Sequence, residues 1–291
     1  MSDDPSALGQ VLESALDAVE LIGDNRHRGE ETLRGLPTGF LELDPLTGGL
    51  APGTLTVIAA RPSIGRTTLL TDICRHVAIT KRIPAAFWTL EETTDELATR
   101  ILSAEARVAR HHVRTGGLHD DDWIRMAKRM PDLSSAPLYL HAPASTTLAA
   151  LAAAATEAQE RHGIRLIAVD GIQDIQPPER SDLREREVGD VVRGLKTLAR
   201  RLDIPVVATS HLNRNPERRP GNVPALDDLR ESGAITFAAD TIILLHRDDA
   251  YDRNSPRAGE ADLIVAKHRQ GPTATLTVAF QAHYGRFTDF A

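Results

Sequence analysis

A ten-residue stretch, Ala59–Thr68 (AARPSIGRTT), constrains the fold of this chain most strongly. The apolar, β-branched run over residues 55–60 predicts a buried strand, and Leu69, Leu70 and Ile73 recur at helical spacing after it. A strand, a tight loop and a helix in this order direct backbone N–H groups and the positive end of the helix dipole at an anion. The stretch therefore predicts an α/β fold built around a phosphate-binding loop.

The loop follows the P-loop pattern, G-x-x-x-x-G-K-[ST], with two changes. Ala60 stands at the first glycine, Gly65 at the second, Arg66 at the lysine and Thr67 at the hydroxyl position. Arginine keeps the charge but is larger and forked, so it would crowd a loop shaped for a slim ammonium group. We expect nucleotide binding to survive and hydrolysis to suffer. The predicted nucleotide-binding residues are Ala60, Pro62, Ser63, Ile64, Gly65, Arg66, Thr67 and Thr68.

Composition offers a second explanation for Arg66. The chain contains 30 Arg but only four Lys, so an arginine at any one position carries less information than usual. The formal net charge of −7 argues against a surface coated in basic residues for nucleic acid, but it does not exclude a local basic channel.

The sequence also bounds the cellular setting. It contains no run of about 18 apolar residues that would predict a membrane span, and the acidic start, residues 1–4, lacks a basic-then-apolar signal pattern. The single cysteine, Cys74, allows no internal disulfide and is expected to be a small core residue. We therefore expect a cytoplasmic protein with no membrane partner.

Predicted strands and helices alternate along most of the chain. The strands cover residues 55–60, 85–90, 138–140, 165–170, 204–210, 241–246, 263–267 and 274–280. The helices after the P-loop helix cover residues 93–108, 120–130, 146–160, 185–202 and 226–238, and residues 174–184 and 213–225 are predicted loops. This order predicts a mainly parallel sheet flanked by helices, with an antiparallel extension at the end.

An amphipathic helix is predicted before this domain, over residues 5–22, with a polar linker after it. A lone helix cannot bury its own apolar stripe, so it must pack on its own domain or on another chain. Both alternatives are open. We divide the chain into a linker helix and tether, residues 1–30, and one α/β domain, residues 31–291.

Two predicted strands end in carboxylates, Glu91 and Asp170. The carboxyl ends of parallel strands meet at one edge of a sheet, so both should approach the P-loop. Thr67 and Asp170 would then hold Mg²⁺, and Glu91 would act as general base toward the attacking water. Glu92 competes with Glu91 on spacing alone. The alternatives are that Asp170 caps a turn and that Glu91 is an acid at a helix start.

Six segments occur in one order and at compatible spacing: Ala60–Gly65, Thr89–Glu91, Leu166–Asp170, Ser210–Arg214, Asp228–Ile235 and Ala266–Thr273. With the closing segment Gln281–Phe290, they make residues 30–290 resemble the C-terminal, RecA-like motor domain of the DnaB-type replicative helicases. The ordered set is far more specific than any single motif. The resemblance implies a RecA-like P-loop NTPase core preceded by one linker helix.

The resemblance also implies a function: a homohexameric ring that moves 5′→3′ along single-stranded DNA using ATP, with other replication proteins as partners. Glu91 would be the catalytic base and Asp170 the acid associated with Mg²⁺. Lys267 and Arg269 would reach the γ-phosphate held by a neighbouring subunit, a role that requires a cation at a subunit boundary. The alternative for Arg269 is a solvated charge at a strand end.

Residues Arg230, Glu231, Ser232 and Gly233 match the family's loop that grips the DNA backbone inside the ring. Glycine there suits a close approach of backbone to phosphate, although Gly233 could also simply end a helix. The helix over residues 8–22 resembles the family's linker helix, which docks on the next subunit.

Three departures from the family matter. Only about thirty residues precede the domain, so we expect a motor without the family's N-terminal helical domain. Arg66 replaces the lysine. His211 stands where the family usually has a glutamine that is thought to sense the γ-phosphate, and a catalytic sensor and a satisfied strand-end histidine are both open.

Two functional hypotheses follow. The first is an ATP-hydrolysing, helicase-type motor that binds single-stranded DNA as an oligomer. The second is a non-hydrolysing nucleotide-binding paralogue that acts as an assembly or regulatory subunit. A third, a recombinase-like strand-exchange protein, is disfavoured by the segment Leu229–Gly233.

Overall fold

The computed structural model of the chain describes residues 7–9, 12–13, 16–17, 20, 33–179, 181–229 and 232–290. The strands among these residues are β1 (Leu55–Ala60), β2 (Ala85–Thr89), β3 (Leu138–His141), β4 (Thr146–Thr147), β5 (Leu166–Asp170), β6 (Ile175–Gln176), β7 (Val206–His211), β8 (Thr241–His246), β9 (Glu260–His268), β10 (Ala274–Gln281) and β11 (Arg286–Thr288). Nine of them form one sheet in the order β11-β10-β9-β8-β1-β7-β5-β2-β3, and two short strands form a second sheet, β4-β6.

Helices cover both faces of the large sheet. They are α1 (Leu43–Thr47), α2 (Arg66–Arg75), α3 (Thr94–Ala106), α4 (Arg110–Thr115), α5 (Asp120–Ser134), α6 (Leu148–His162), α7 (Arg184–Leu202) and α8 (Ser232–Ala238). A π-helical turn, His76–Thr80, extends α2. The helix α3 begins with a capping box in which Thr93 and Glu96 satisfy each other's backbone N–H groups.

The sheet topology confirms the predicted α/β class. Strands β8, β1, β7, β5, β2 and β3 pair in parallel, and β9, β10 and β11 extend the sheet with antiparallel pairs. All residues of β1, β2, β5 and β8 are buried. Because helices lie on both faces, these central strands read as continuous apolar runs and not as alternating ones.

Alternate side chains of β1 enter two separate cores. Ile58 and Ala60 belong to the core on the α2 face, and Leu55, Val57 and Ala59 belong to the core on the α7 face. The period of two in a strand directs successive side chains to opposite faces, so one short strand anchors both layers.

Several elements differ from the sequence-based prediction. The predicted helix over 226–238 is a short 3₁₀ turn, Leu226–Asp228, and then α8, which begins at Ser232. The predicted loop 174–184 contains β6. Helix α4 and the short strands β4 and β11 were not predicted, because elements of two to six residues carry too few positions for a periodic pattern.

The predicted helix over residues 5–22 is described only in part. The described residues 8–9, 12–13, 16–17 and 20 are helical. Leu8, Leu12 and Leu16 are spaced four residues apart and are 73%, 50% and 60% exposed. These leucines form an apolar helix stripe that is open to solvent. In the described part of the chain, no helix is both long and apolar enough to cross a bilayer.

The antiparallel extension supports the P-loop through Phe287, which lies in β11. The Phe287 side chain in β11 is 4% exposed, and a Cβ atom added at Gly65 would lie 2.9 Å from its Cζ. The backbone N–H of Phe287 donates to Asp72 Oδ2 in α2 at 2.7 Å. Burial raises the pKa of Asp72 to about 6, although Arg75 opposes that shift. The last strand is thus tied to the helix that follows the loop.

Replacement of Phe287 by alanine should therefore destabilise the fold. The change removes a buried ring that also packs 4.7 Å from the Phe280 ring, and we expect a loss of about 3 kcal/mol in the free energy of unfolding. Urea denaturation of the purified protein measures it. Phe290→Ala is the matched control, because Phe290 is 54% exposed and should cost little. Equal losses in the free energy of unfolding of the two variants would contradict the role of Phe287 in supporting the loop.

Candidate nucleotide-binding site

Four parallel strands bring the predicted site residues to one edge of the sheet. The register aligns Ala60 at the end of β1 with His211 at the end of β7, and Thr89 at the end of β2 with Asp170 at the end of β5. Crevices at the carboxyl ends of parallel strands are the usual ligand sites of such sheets. The structure therefore places the P-loop, Glu91, Asp170 and His211 side by side.

The backbone of the P-loop adopts conformations that a phosphate-binding turn requires. Ser63 has φ of 66° and Gly65 has φ of 119°, both in the left-handed region. At Gly65 a side chain would also meet Phe287. Glycine is therefore required there both for its backbone conformation and for its lack of a side chain. Helix α2 begins at the next residue, and its first N–H groups open toward the loop. Pro62 and Ser63 are exposed, whereas Ala60 and Ile64 are buried.

Arg66 points into the site and not into solvent. It is 6% exposed, and its Nη2 donates to Glu91 Oε1 at 2.6 Å. Its Nη1 is buried and finds no hydrogen-bond partner within the described residues. One half of the guanidinium is thus paired, and Nη1 is buried without an acceptor among the described residues.

Glu91 is held from two sides. Besides Arg66, His211 Nε2 lies 3.5 Å from Glu91 Oε1. The hydrogen bond from His211, followed by the charges and the bond from Arg66, lowers the pKa of Glu91 against the opposing effect of burial. The ligand atoms of Glu91, Asp174 and His211 lie within 4.8 Å of one another, close enough to share a cation. The Arg66 guanidinium on Glu91 opposes a cation at that position.

Glu92 faces a different partner. Its carboxylate pairs with Arg100, whose Nη1 contacts Thr68 Oγ1 at 3.1 Å. Arg100 is 6% exposed, so this pair is part of the packing between α3 and α2. Of the two adjacent glutamates, Glu91 is the one that lies beside Arg66 and His211.

Asp170 is the most deeply buried acid of the site. It is fully buried, and Thr209 Oγ1 donates to its Oδ1 at 2.5 Å. Its Oδ2 has no hydrogen-bond partner within the described residues. Burial raises the pKa of Asp170, with a further contribution from Glu91, and the Thr209 and Thr67 hydroxyls lower it. An unpaired carboxylate oxygen beside the Thr67 hydroxyl fits the oxygen ligands that Mg²⁺ requires.

Lys267 and Arg269, the cations predicted to act on a neighbouring subunit, lie where the parallel strands begin, at the edge of the sheet opposite the P-loop. His268 at the end of β9 is in register with Thr241, and Thr241 with Thr56 near the start of β1. Four residues of strand, about 13 Å at 3.3 Å per residue, separate Thr56 from Ala60. Lys267 Nζ bonds to the carbonyls of Thr236 and Ala239 at 2.6 and 2.5 Å. The structure therefore does not bring Lys267 to its own P-loop.

Arg269 lies at the same far edge as Lys267. Its Nη1 contacts Asp240 Oδ1 at 3.3 Å, and its side chain is 58% exposed. Burial, together with the nearby charge of Arg269, lowers the pKa of Lys267. The two cations therefore lie close together, Arg269 exposed on the domain surface and Lys267 half-buried with its Nζ on backbone carbonyls.

The predicted DNA-contacting residues are described only in part. Arg230 and Glu231 lie outside the described residues, as does the side chain of Ser232. Gly233 lies in the first turn of α8, so it does not end a helix, and a Cβ atom added there would lie 3.2 Å from Glu185 Oε1 in α7.

Sequence reasoning missed three residues that shape the site. Thr209 donates to Asp170, Arg61 Nη1 donates to the Leu212 carbonyl at 2.9 Å, and Arg247 Nη1 donates to the Ile64 carbonyl at 3.3 Å. The Arg247 guanidinium also stacks on the Phe280 ring, 3.7 Å from its centroid. A hydroxyl inside the apolar strand β7 was a usable signal for Thr209. The two arginines had none, because the Leu212 and Ile64 carbonyls to which they donate are distant from them in the sequence.

Known proteins share this domain. The family model described as the DnaB-like helicase C terminal domain matches residues 35–289. The chain is 44% identical over 281 residues to the replicative DNA helicase DnaB of Leifsonia xyli subsp. xyli, covering 97% of this chain and 61% of that protein. It is 40% identical to the replicative DNA helicase DnaB of Mycobacterium leprae, covering 99% of this chain and 46% of that protein. The chain thus spans about half the length of these relatives.

Solved structures share the fold. A structure described as an ATPase domain superposes with a TM-score of 0.91 at 27% identity, covering 99% of this chain and 100% of that one. A DnaB-like replicative helicase, solved for its interactions with primase, superposes with a TM-score of 0.88 at 28% identity, covering 99% of this chain and 68% of that one. The resemblance drawn from the ordered motifs is confirmed.

The Thr209 hydroxyl should matter most where Asp170 is ionised. Thr209→Val removes the donor without changing the shape of the side chain, and we expect a loss of about 2 kcal/mol in the free energy of unfolding at pH 8. The loss should shrink at pH 5, because the pKa of Asp170 is raised and rises further without the donor, so protonation of the folded state then relieves the unpaired charge.

Urea denaturation at the two pH values tests this expectation. Thr197→Val is the control, since the Thr197 hydroxyl donates within its own helix, to the Arg193 carbonyl. A loss for Thr209→Val that is the same at both pH values would show that the hydroxyl does not serve an ionised Asp170.

Proposed function

Since the chain belongs to the DnaB-like helicase C-terminal domain family, we propose that it is an ATP-hydrolysing motor. We propose that it moves on single-stranded DNA as a ring of identical copies. The observation that carries the proposal is the meeting of the P-loop, Glu91, Asp170 and His211 at one edge of the sheet. Phosphoryl transfer needs mainly positioning and charge neutralisation, and these are the groups that supply them.

The P-loop backbone and the start of α2 would bind the phosphates of ATP. Thr67 and Asp170 would hold Mg²⁺, which when bound neutralises phosphate charge. The unpaired Oδ2 of Asp170 supports this assignment, since a buried, ionised carboxylate oxygen is costly when it has no partner and a bound cation would supply one.

Glu91 would accept the proton of the attacking water. As the water oxygen bonds to the γ-phosphorus, the bond from that phosphorus to the bridging oxygen breaks and ADP leaves. The lowered pKa of Glu91 keeps the carboxylate ionised near neutral pH, so it is in the form that can accept a proton, although it is a weaker base than an unpaired glutamate. His211, 3.5 Å from the Glu91 carboxylate, would report to it whether the γ-phosphate is present.

A ring would bring the two edges of the sheet together. Lys267 and Arg269 lie at the edge opposite their own P-loop, and the Arg269 side chain is 58% exposed. A cation that stabilises the transition state must touch the γ-phosphate. We propose that these two residues serve the P-loop of the neighbouring copy, which makes the active site complete only in the oligomer.

The exposed leucines of the N-terminal helix would hold the ring together. On the domain surface, α3, α5 and β3 form an apolar groove of about 340 Å³, lined by Ile79, Ala98, Ile101, Leu102, Met130 and Leu133 among others. We propose that Leu8, Leu12 and Leu16 of one copy occupy this groove on the next, because a four-residue spacing presents them on one face.

The single-stranded DNA would pass through the centre of the ring. Arg230, Glu231, Ser232 and Gly233 would contact its backbone, and the glycine would allow a close approach to phosphate. Other replication proteins are proposed partners, since a related helicase was solved for its interactions with primase. We also propose residues 31–291 as the motor domain and residues 1–30 as the linker helix and tether.

One contact favours the second functional hypothesis, a nucleotide-binding subunit that does not hydrolyse ATP. The 2.6 Å pair between Arg66 and Glu91 occupies the carboxylate that would act as base. Turnover separates the two hypotheses, because both require ATP binding.

ATP hydrolysis by the purified chain should rise at least fivefold with single-stranded DNA, as expected when DNA contacts order the site. Glu91→Gln should reduce turnover by about a thousandfold, because the general base is lost while the P-loop is intact. Release of inorganic phosphate measures both effects. Glu92→Gln is the matched control and should retain most turnover, since Glu92 pairs with Arg100. Turnover that survives Glu91→Gln but not Glu92→Gln would reverse the assignment.

Static light scattering with ATP and Mg²⁺ should give the mass of a hexamer, and Leu12→Asp should reduce it, because the charge cannot enter an apolar groove. Leu41→Asp is the matched control, since Leu41 is also exposed, at 76%, but lies outside the proposed contact. A wild-type chain that stays monomeric with nucleotide would exclude the trans-acting role of Arg269.

A further inference from the structure

The guanidinium of Arg66 divides its two terminal nitrogens between two tasks. Nη2 donates to Glu91 Oε1 at 2.6 Å. Nη1 is buried and finds no acceptor in the part of the chain that the structure describes. The residue is only 6% exposed, so water does not readily replace the missing acceptor. A buried donor without an acceptor calls for an explanation, and a ligand bound at this place would supply one.

The position of Arg66 identifies that ligand by its chemistry. Arg66 is the first residue of α2 and directly follows Gly65, whose left-handed φ of 119° closes the P-loop. The backbone N–H groups of the loop and the helix start create an anion site there. A guanidinium presents its donors in a rigid fork that matches phosphate oxygens.

We propose that Arg66 couples the bound nucleotide to the general base: Nη1 donates to a phosphate oxygen of ATP while Nη2 remains on Glu91. The proposal rests on ATP binding at the P-loop, as proposed above. A lysine carries its three donors on one nitrogen, so phosphate and Glu91 would both have to approach that single atom, whereas the guanidinium holds them on two separate nitrogens in a fixed plane. The arginine therefore allows the two acceptors to be bound farther apart than a lysine could.

The coupling has a direct consequence for turnover. A carboxylate oxygen that accepts from a guanidinium is a weaker proton acceptor, so Glu91 takes the proton of the attacking water less readily. His211 acts on the same oxygen from the other side. ATP bound to this site should be held tightly and hydrolysed slowly.

Simple crowding of the loop by the larger side chain is the competing explanation. Crowding would also slow turnover, but it would act on nucleotide affinity independently of Glu91. A double-mutant cycle separates the two, because it measures whether residues 66 and 91 act on affinity together.

The cycle uses the full chain as wild type, Arg66→Lys, Glu91→Gln and the double variant. The readout is the affinity for a fluorescent ATP analogue with Mg²⁺. In the arginine background, Glu91→Gln should tighten binding of the analogue about fivefold, because Arg66 then gives its charge wholly to phosphate. In the lysine background, the same substitution should tighten binding by less than about twofold. Effects that multiply independently within about twofold would overturn the proposal.

The pH profile of turnover gives a second readout. Arg66→Lys should raise turnover about tenfold and move the acidic limb of the profile to higher pH, since the pKa of Glu91 is no longer lowered by the arginine. Relief of crowding would raise turnover and leave the limb in place. That result would also count against the proposal.

An exposed ion pair provides the matched control for the cycle. Arg161 Nη2 lies 2.7 Å from Glu157 Oε1 at side-chain exposures of 70% and 57%, so Arg161→Lys and Glu157→Gln should show no coupling in nucleotide affinity. If Arg66→Lys does not fold, Arg66→Met replaces it, and coupling to Glu91→Gln should again vanish. If the analogue binds none of these proteins, the proposed function fails along with this inference. Binding without coupling overturns this inference alone.

Discussion

The parallel register of four neighbouring strands is the constraint from which the site follows. Ala60 is level with His211 and Thr89 with Asp170, so residues far apart in the sequence end at the same edge. Each strand is fully buried or nearly so, and a one-residue slip would move the side chains that fit one core into the other core. Hydrophobic packing thereby fixes the relative positions of an acid, a base and a phosphate loop.

The antiparallel extension adds what the parallel strands cannot provide, a support behind the loop. Phe287 lies against Gly65, Arg247 donates to the Ile64 carbonyl, and Asp72 accepts the N–H of Phe287. These contacts hold a turn that contains two residues in the left-handed region. A preformed loop of this kind loses little conformational entropy when an anion binds, which favours affinity.

The sequence was sufficient to predict the fold and to name the strand ends that meet at the candidate site, for identifiable reasons. Long apolar strands and amphipathic helices leave a periodic pattern, and the P-loop, Glu91 and Asp170 each follow such a strand directly. The contact between Phe287 and Asp72 joins residues far apart in sequence, and no local pattern encodes it. The hydroxyl of Thr209 inside an apolar strand was a visible signal, but its partner Asp170 could not be read from a local pattern. The choice between Glu91 and Glu92 also needed coordinates, because it rests on Arg100, which lies one helix further on.

The same logic bears on Lys267 and Arg269, the two cations proposed to act on a neighbouring copy. Strand β9 runs antiparallel to β8, so its end lies away from the edge where the parallel strands finish. Lys267 and Arg269 at the end of β9 are therefore separated from the P-loop by about the length of strand β1. No side chain spans that distance. If these cations act in hydrolysis, they act on another copy, and each site then joins the nucleotide state of one subunit to the position of the next. In the proposed mechanism Arg66 sets the other half of that relation, because its Nη2 lies on Glu91 while its Nη1 binds phosphate within one copy. Slow hydrolysis in each site and completion of the site by a neighbour would then both follow from where this fold places its arginines.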